Sequence, residues 1–121
     1  MRPIRVLVAD DDYLNRKVFE IKLRRRGHRC DVAEDGRRAV EMARKECYNA
    51  IVLDQLMPGL TGAEAAREIR TFSGHTLLIA ITGDASEIPR LVKAGFDRVF
   101  LKPLRDRACI EYIESSTQAV V

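Results

Sequence analysis

The sequence contains no apolar run that approaches the roughly 20 residues a helix needs to cross a membrane. Residues 1–3 lead directly into an apolar segment, without the pattern of a signal peptide. Cysteine is scarce: Cys30, Cys47 and Cys109 lie far apart and form no Cys-x-x-Cys pair. Such residues fit neither a disulfide framework nor a zinc site, so we expect free thiols that are buried or half-buried. These features predict a cytoplasmic protein that does not insert into a membrane.

An excess of one charge is likewise small, with 21 Lys and Arg residues against 18 Asp and Glu residues. This balance neither requires nor excludes attraction to nucleic acid. Basic residues cluster at 24–26 and at Arg29, beside the predicted end of a helix at Gly27, where cations complement the helix dipole. Neither interleaved aromatic residues nor a recognition-helix pattern accompany them. We therefore interpret the cluster as a solvated helix end and expect no direct nucleic-acid binding by this domain.

The 121 residues, of which 46% are hydrophobic, suit one domain with its own core, and we predict a single domain over residues 1–121. Apolar runs alternate with amphipathic stretches throughout. The predicted strands are 4–9, 28–33, 50–54, 76–81 and 98–101. The predicted helices are 13–26, 35–46, 61–70, 86–94 and 105–114. Five β-then-α units, joined by right-handed crossovers, predict an α/β fold with a parallel sheet covered on both faces.

Two of the predicted helices carry further detail. In the first, Leu14, Val18 and Ile21 form one apolar stripe, and we interpret Leu14 and Val18 as core because such spacing marks core more often than an interface. In the third, Thr61 precedes Glu64 by three residues, the spacing of a capping box at a helix start.

Charged and hydroxyl side chains follow four of the predicted strands at their carboxyl ends. These segments are Asp10-Asp11-Asp12, Asp54, Thr82-Gly83-Asp84 and Lys102-Pro103. Because the carboxyl ends of parallel strands share one edge of a sheet, we expect these segments to line one cleft. Clustered carboxylates raise one another's pKa, so they are tolerated mainly around a divalent cation. Hard oxygen ligands suit Mg²⁺, which we expect Asp10 or Asp11 to hold together with Asp54.

The same residues indicate a chemistry for the cleft. A free oxygen of Asp54 could attack a phosphoryl group, since carboxylates are nucleophiles that form aspartyl phosphates. The Lys102 ammonium would neutralise the phosphoryl charge, and the Thr82 hydroxyl would donate a hydrogen bond to it. Each residue alone is weak evidence, and Asp12 before Tyr13 has the pattern of a simple helix cap. Their joint occurrence at the ends of different strands favours a site over coincidence.

The sequence strongly resembles the receiver domain of two-component response regulators and hybrid sensor kinases, over about residues 4–113. The matching motifs are Val6-Leu7-Val8-Ala9-Asp10-Asp11-Asp12, Ile51-Val52-Leu53-Asp54, Met57-Pro58-Gly59, Gly62, Ile81-Thr82-Gly83 and Leu101-Lys102-Pro103. The resemblance implies a flavodoxin-like, doubly wound sheet of five parallel strands with five helices. It also implies a phosphoacceptor signalling switch and not an enzyme. The reactions expected of the domain itself are at most self-phosphorylation from small donors and autodephosphorylation.

The resemblance assigns a role to each site residue. Asp54 would accept a phosphoryl group from the phosphohistidine of a histidine kinase or a histidine phosphotransfer domain, changing the surface offered to a downstream effector. Asp11 would bind Mg²⁺ directly, Asp10 partly through water, and Leu56 through its main-chain carbonyl. Thr82 would swing toward the phosphoryl group.

The remaining expectation from the family concerns the segment after the last strand. Lys102 would pair with a phosphoryl oxygen. The bond between Lys102 and Pro103 is expected to be cis, a geometry that only X-Pro bonds reach at low cost.

Three features depart from the family pattern. Val99 stands where many receivers carry an aromatic ring that flips inward as the threonine moves, and Phe100 beside it should face the other way. Gly83 replaces the usual alanine and adds backbone freedom. Leu56 should hinder the water that hydrolyses an acyl phosphate, whereas Asp84 could orient that water, and the sequence does not decide between them.

Three other functions fit the residues less well. A receiver-like adaptor that acts by protein contact without phosphorylation would have no need of the full set Asp11, Asp54, Thr82 and Lys102. A phosphatase with an aspartyl nucleophile would place a second aspartate two residues later, where Leu56 stands. A flavin carrier of this fold would need a phosphate-cradling loop after the first strand, which leads instead into acidic residues.

The sequence does not choose among three kinds of protein to which this domain could belong: a stand-alone regulator, a DNA-binding regulator or a hybrid kinase. Asn15 and Arg16 follow the acidic cluster as a pair often seen in hybrid kinase receivers, and they are candidates for partner contact. His28 and His75 have no predicted place near the cleft, so we expect ordinary surface histidines.

Overall fold

Five parallel strands form one sheet in the order β2-β1-β3-β4-β5 in the computed structural model, which describes residues 2–103 and 106–118. The strands are β1 (Arg5–Ala9), β2 (Arg29–Ala33), β3 (Ala50–Asp54), β4 (Leu77–Thr82) and β5 (Arg98–Leu101). The helices are α1 (Tyr13–Arg25), α2 (Gly36–Lys45), α3 (Gly62–Phe72), α4 (Ile88–Ala94) and α5 (Asp106–Thr117), with a 3₁₀ turn at Ala85–Glu87 before α4. The predicted flavodoxin-like fold is confirmed, while the predicted start of the last helix at 105 lies outside the described residues.

Two hydrophobic cores lie on opposite faces of the sheet, because successive strand residues point to opposite sides. Leu7 and Ile51 face the core formed with α2, α3 and α4. Val6 and Val52 face the core formed with α1 and α5. Among the described residues, no helix combines the length and apolar character needed to span a membrane.

The prediction that Leu14 and Val18 of α1 lie in the core is wrong. Leu14 is 70% exposed, and Val18 and Ile21 are about 40% exposed, whereas the buried residues of α1 are Phe19 and Leu23. Both sets satisfy helical periodicity, so spacing alone could not choose the face. The larger aromatic residue packs against the sheet, and the Leu14–Ile21 stripe faces outward.

The cysteine prediction holds at two positions and is wrong at the third. Cys30 and Cys109 are buried free thiols, and burial raises the pKa of each to about 12. Cys47, in contrast, is exposed, because it lies in the loop between α2 and β3 rather than on a core-facing side.

The prediction that His28 is an ordinary surface histidine is also wrong. Its ring is almost fully buried and its Nε2 lies 2.7 Å from Glu114 Oε2 at the end of α5. The Ile4 N–H donates to Nδ1 (3.2 Å), so the ring proton lies on Nε2 and is donated to Glu114. Arg26, a member of the basic cluster, donates to the same carboxylate through Nε and Nη2 and forms an ion pair with it. This network fixes α5 to the segment between α1 and β2.

The first turn of α3 packs directly against the end of β3. Thr61 and Glu64 form the predicted capping box. The Gly62 N–H donates to the Gln55 carbonyl oxygen (3.1 Å), and the Ala63 N–H donates to Gln55 Oε1 (2.8 Å). A Cβ atom at Gly62 would lie 2.8 Å from the Asp54 carbonyl oxygen, closer than carbon and oxygen approach without displacement. Glycine at this position lets the helix approach the strand that ends at Asp54.

Replacing Gly62 with alanine should therefore lower the free energy of unfolding by about 2 kcal/mol, because the added methyl overpacks the junction. Urea denaturation measures the change. Gly83→Ala is the matched control, because a methyl group there would meet no other part of the chain within 4 Å and the backbone φ is not positive. That control should leave stability unchanged or raise it by about 0.5 kcal/mol. Equal losses in both variants would contradict this account.

The Glu114 network should stabilise the fold in a pH-dependent way. Hydrogen bonds from Arg26 lower the pKa of Glu114, burial raises it, and the hydrogen bond from His28 lowers it further. The net result is a pKa of about 2, below the ordinary value of 4.5. The stabilisation is thus complete above about pH 4.5 and is lost as the pH falls toward 2. Glu114→Gln should lower the free energy of unfolding by about 2 kcal/mol at pH 7, with a shrinking difference in acid.

Urea unfolding at several pH values checks this dependence. Glu111→Gln removes a more exposed carboxylate of the same helix, which pairs with Arg107, and should change stability little. A stability loss for Glu114→Gln that is the same at pH 7 and pH 3 would rule out the ionic contribution.

Candidate functional site

Three carboxylates meet at the carboxyl edge of the sheet. Asp10 and Asp11 follow β1, and Asp54 is the last residue of the neighbouring strand β3. One carboxylate oxygen from each lies within 4.8 Å of the others. Asp10 and Asp54 are buried and Asp11 is exposed, so the cluster opens to solvent on one side. A set of carboxylate oxygens with access to water is the donor set that suits Mg²⁺.

The surroundings of Asp10 fix its carboxylate. The Asp12 N–H donates to Oδ1 (2.9 Å) and the Asn15 amide nitrogen donates to Oδ2 (3.3 Å). Burial and the nearby charge of Asp54 raise the pKa of Asp10, against the effect of these donors and of Lys102. A bound cation would oppose that rise by stabilising the charged form. The Asp12 side chain accepts from Leu14 and Asn15 N–H groups and caps α1, as its position predicted.

Asp54 receives two donors from different parts of the chain. The Lys102 Nζ donates to Oδ2 (3.0 Å), and the Leu56 N–H donates to Oδ1 (3.2 Å). Partial burial tends to lower the pKa of Lys102, but the hydrogen bond and charge of Asp54 outweigh it, so that pKa is raised. The ammonium therefore stays charged at the cleft. The Lys102–Pro103 bond is cis, as the resemblance implied.

Thr82 lies at the end of β4 with its side chain turned toward the following loop. The residue is 2% exposed, and its hydroxyl donates to Glu87 Oε1 (2.7 Å) while accepting from the Asp84 N–H (3.1 Å). Sequence reasoning missed Glu87, since a glutamate near the start of a predicted helix has no pattern that marks such a contact. The cleft thus gathers Asp10, Asp11, Asp54 and Lys102 directly, with the Thr82 hydroxyl bonded elsewhere.

The structure also places the positions that depart from the family pattern. Val99 packs with the core on the α2–α4 side, and Phe100 packs on the opposite face, its ring 5.9 Å from that of Tyr112. Their opposite orientation was predicted. Leu56 is 81% exposed beside Asp54. Asp84 Oδ1 accepts from the Ser86 N–H and hydroxyl, which lower the pKa of Asp84 and hold it at the 3₁₀ turn.

Known proteins of similar sequence are regulators and kinases. The response regulator MprA of Mycolicibacterium vanbaalenii is 33% identical over 103 residues, covering 84% of this chain and 45% of that protein. Hybrid signal transduction histidine kinase I of Dictyostelium discoideum is 31% identical over 126 residues, covering 95% of this chain and 7% of that protein. The chain therefore spans less than half of the length of either relative.

Solved structures agree with these relatives. The receiver domain of a sensor histidine kinase from Pseudomonas aeruginosa, with a magnesium ion coordinated in its active site cleft, superposes with a TM-score of 0.87 at 27% identity. The superposition covers 98% of this chain and 100% of that chain. The family model described as the response regulator receiver domain matches residues 6–114, which include every residue of the cleft. By its fold, its acidic cleft and this match, the chain belongs to the response regulator receiver domain family.

Proposed function

We propose that this chain is a signalling switch in which Asp54 accepts a phosphoryl group from the phosphohistidine of a histidine kinase or a histidine phosphotransfer domain. One observation carries the proposal: the buried Asp54 carboxylate lies among Asp10, Asp11 and the Lys102 ammonium. This combination supplies a nucleophile, oxygen ligands for a cation and a positive charge for an anionic group. No observation favours an adaptor that acts without phosphorylation.

The bonds that form and break in the transfer belong to the donor and the carboxylate. An electron pair of an Asp54 oxygen forms the new O–P bond while the P–N bond of the donor histidine breaks. The electrons of that bond leave with the imidazole nitrogen, which takes a proton from water. Lys102, already beside Asp54, offsets the negative charge on the phosphoryl oxygens as they approach.

We further propose that Asp10, Asp11 and Asp54, with the main-chain carbonyl of Leu56, hold Mg²⁺. The carboxylate oxygens within 4.8 Å of one another and the raised pKa of Asp10 support this assignment. When bound, the ion supplies positive charge that offsets both the carboxylates and the phosphoryl oxygens. The Pseudomonas receiver with magnesium in its cleft supports the choice of ion.

Thr82 completes the proposed site. Its hydroxyl would leave the loop and donate to a phosphoryl oxygen, shifting a two-state equilibrium of the segment that leads into α4. Loss of the phosphoryl group by autodephosphorylation would then reset the switch, with the exposed Leu56 beside the acceptor hindering water.

The outward stripe of α1 suits the phosphodonor. Leu14, Val18 and Ile21 are exposed, and Asn15 in the same helix contacts Asp10. An apolar surface that borders the cleft would position a donor histidine near Asp54. The domain organisation we propose is one receiver domain over residues 1–121, and the relatives leave both a regulator and a hybrid kinase as its context.

The acceptor assignment predicts that acetyl phosphate with Mg²⁺ adds one labile phosphoryl group to the wild type and none to Asp54→Asn, because the amide cannot form the acyl phosphate. Intact-mass measurement at neutral pH detects the addition, and chelation of Mg²⁺ should abolish it. Asp12→Asn is the matched control, since Asp12 caps α1 and asparagine caps equally well. Full labelling of Asp54→Asn would refute the assignment.

Lys102→Ala should leave Mg²⁺ binding intact and remove the conformational response of α4 to BeF₃⁻. Mg²⁺ affinity should persist, because the carboxylates remain, while the shifts that BeF₃⁻ induces in α4 should disappear without the ammonium. NMR titration measures both in one sample, and Lys93→Ala, at an exposed position of α4, serves as control. An unchanged BeF₃⁻ response in Lys102→Ala would contradict the role given to Lys102.

A further inference from the structure

We propose that Glu87 is a positioning residue that holds Thr82 away from the phosphoryl site in the resting state and couples its release to α4. This inference rests on the proposed function, since it concerns how Thr82 reaches a phosphoryl group on Asp54. Glu87 would act by positioning Thr82 and would not itself contact the reacting atoms.

The contact between the two residues is enclosed and directional. Thr82 is 2% exposed, and its hydroxyl donates to Glu87 Oε1 at 2.7 Å, a short distance typical of a hydrogen bond to a carboxylate. The Glu87 side chain is 25% exposed, and its Oε2 pairs with Arg90 of α4. Glu87 therefore links the end of β4 to the first turns of α4.

Glu87 does not serve as a helix cap. It occupies the N-cap position of α4, yet its side chain makes no capping hydrogen bond to that helix. It reaches back instead across the 3₁₀ turn to Thr82. Helix capping consequently does not account for where this carboxylate points.

A threonine hydroxyl has a single proton to donate. In the resting state Glu87 accepts it, so a phosphoryl oxygen on Asp54 competes with Glu87 for the same donor. Phosphorylation that recruits Thr82 must break the contact with Glu87, and the segment before α4 loses that link to β4. Removing the charge of Glu87 should shift the equilibrium toward the recruited state.

The residue at position 99 bears on the importance of the hydrogen bond between Thr82 and Glu87. Val99 is an aliphatic residue, partly buried, that packs against the core on the α2–α4 side, so no aromatic ring at this position can move with the threonine. The hydrogen bond from Thr82 to Glu87, with the contact from Glu87 to Arg90, is the connection toward α4 on which this inference rests.

The test is the affinity of the Mg²⁺-loaded protein for BeF₃⁻, followed by NMR, in wild type and Glu87→Gln. Glutamine keeps the size and an acceptor oxygen but weakens the hydrogen bond, so BeF₃⁻ should bind about three- to tenfold more tightly. Mg²⁺ affinity measured without BeF₃⁻ should stay the same. Glu111→Gln is the matched control, since it removes the charge of a glutamate paired with an arginine on α5 and should change neither affinity.

A second pair of variants isolates the route through Thr82. In a Thr82→Val background, which has no hydroxyl, Glu87→Gln should have no further effect. The wild-type carboxyl carbon of Glu87 should also shift on BeF₃⁻ addition, a readout that requires no variant to fold. An unchanged affinity in Glu87→Gln, or an equal gain in both backgrounds, would overturn the inference. A wild type that binds no BeF₃⁻ would overturn the proposed function itself.

Discussion

Repulsion between carboxylates is the constraint around which the carboxyl edge of this sheet is arranged. At about 4 Å and an effective dielectric constant of about 20, two like charges cost roughly 4 kcal/mol. Asp10, Asp11 and Asp54 bring oxygens within 4.8 Å of one another, and two of the three are buried. Lys102 and main-chain N–H groups offset part of that cost. The repulsion that these groups do not offset favours binding of a cation among the three carboxylates, as expected of a metal site.

Sequence predicted the fold and the acidic cleft because both depend on local patterns. Apolar runs marked the strands, and the parallel arrangement placed Asp10 and Asp54 at the same edge. The face of α1 was not predictable, since two stripes of that helix obey the same period and only packing against the sheet selects Phe19. The position of His28 depended on Glu114, which lies 86 residues away in the chain.

Glu87 illustrates what lies beyond a sequence pattern. Thr82 was a candidate from its place at a strand end, but the direction of its hydroxyl depends on the side-chain conformation of Glu87 in the following 3₁₀ turn. The sequence therefore indicated which side chains line the cleft, but it did not indicate which hydrogen-bond partner each has in the unphosphorylated state. That partner determines what must break before Thr82 can act.

The close approach of α3 to β3 makes the two sides of the cleft differ in packing. On the α3 side, Gln55, the residue after Asp54, accepts hydrogen bonds from two backbone N–H groups of α3, and a Cβ atom added at Gly62 would clash with β3. On the other side, β4 meets α4 through a short turn whose residues are largely exposed. The α3 side of the cleft is therefore closely packed, and a displacement at Asp54 would meet fewer buried neighbours at the turn between β4 and α4.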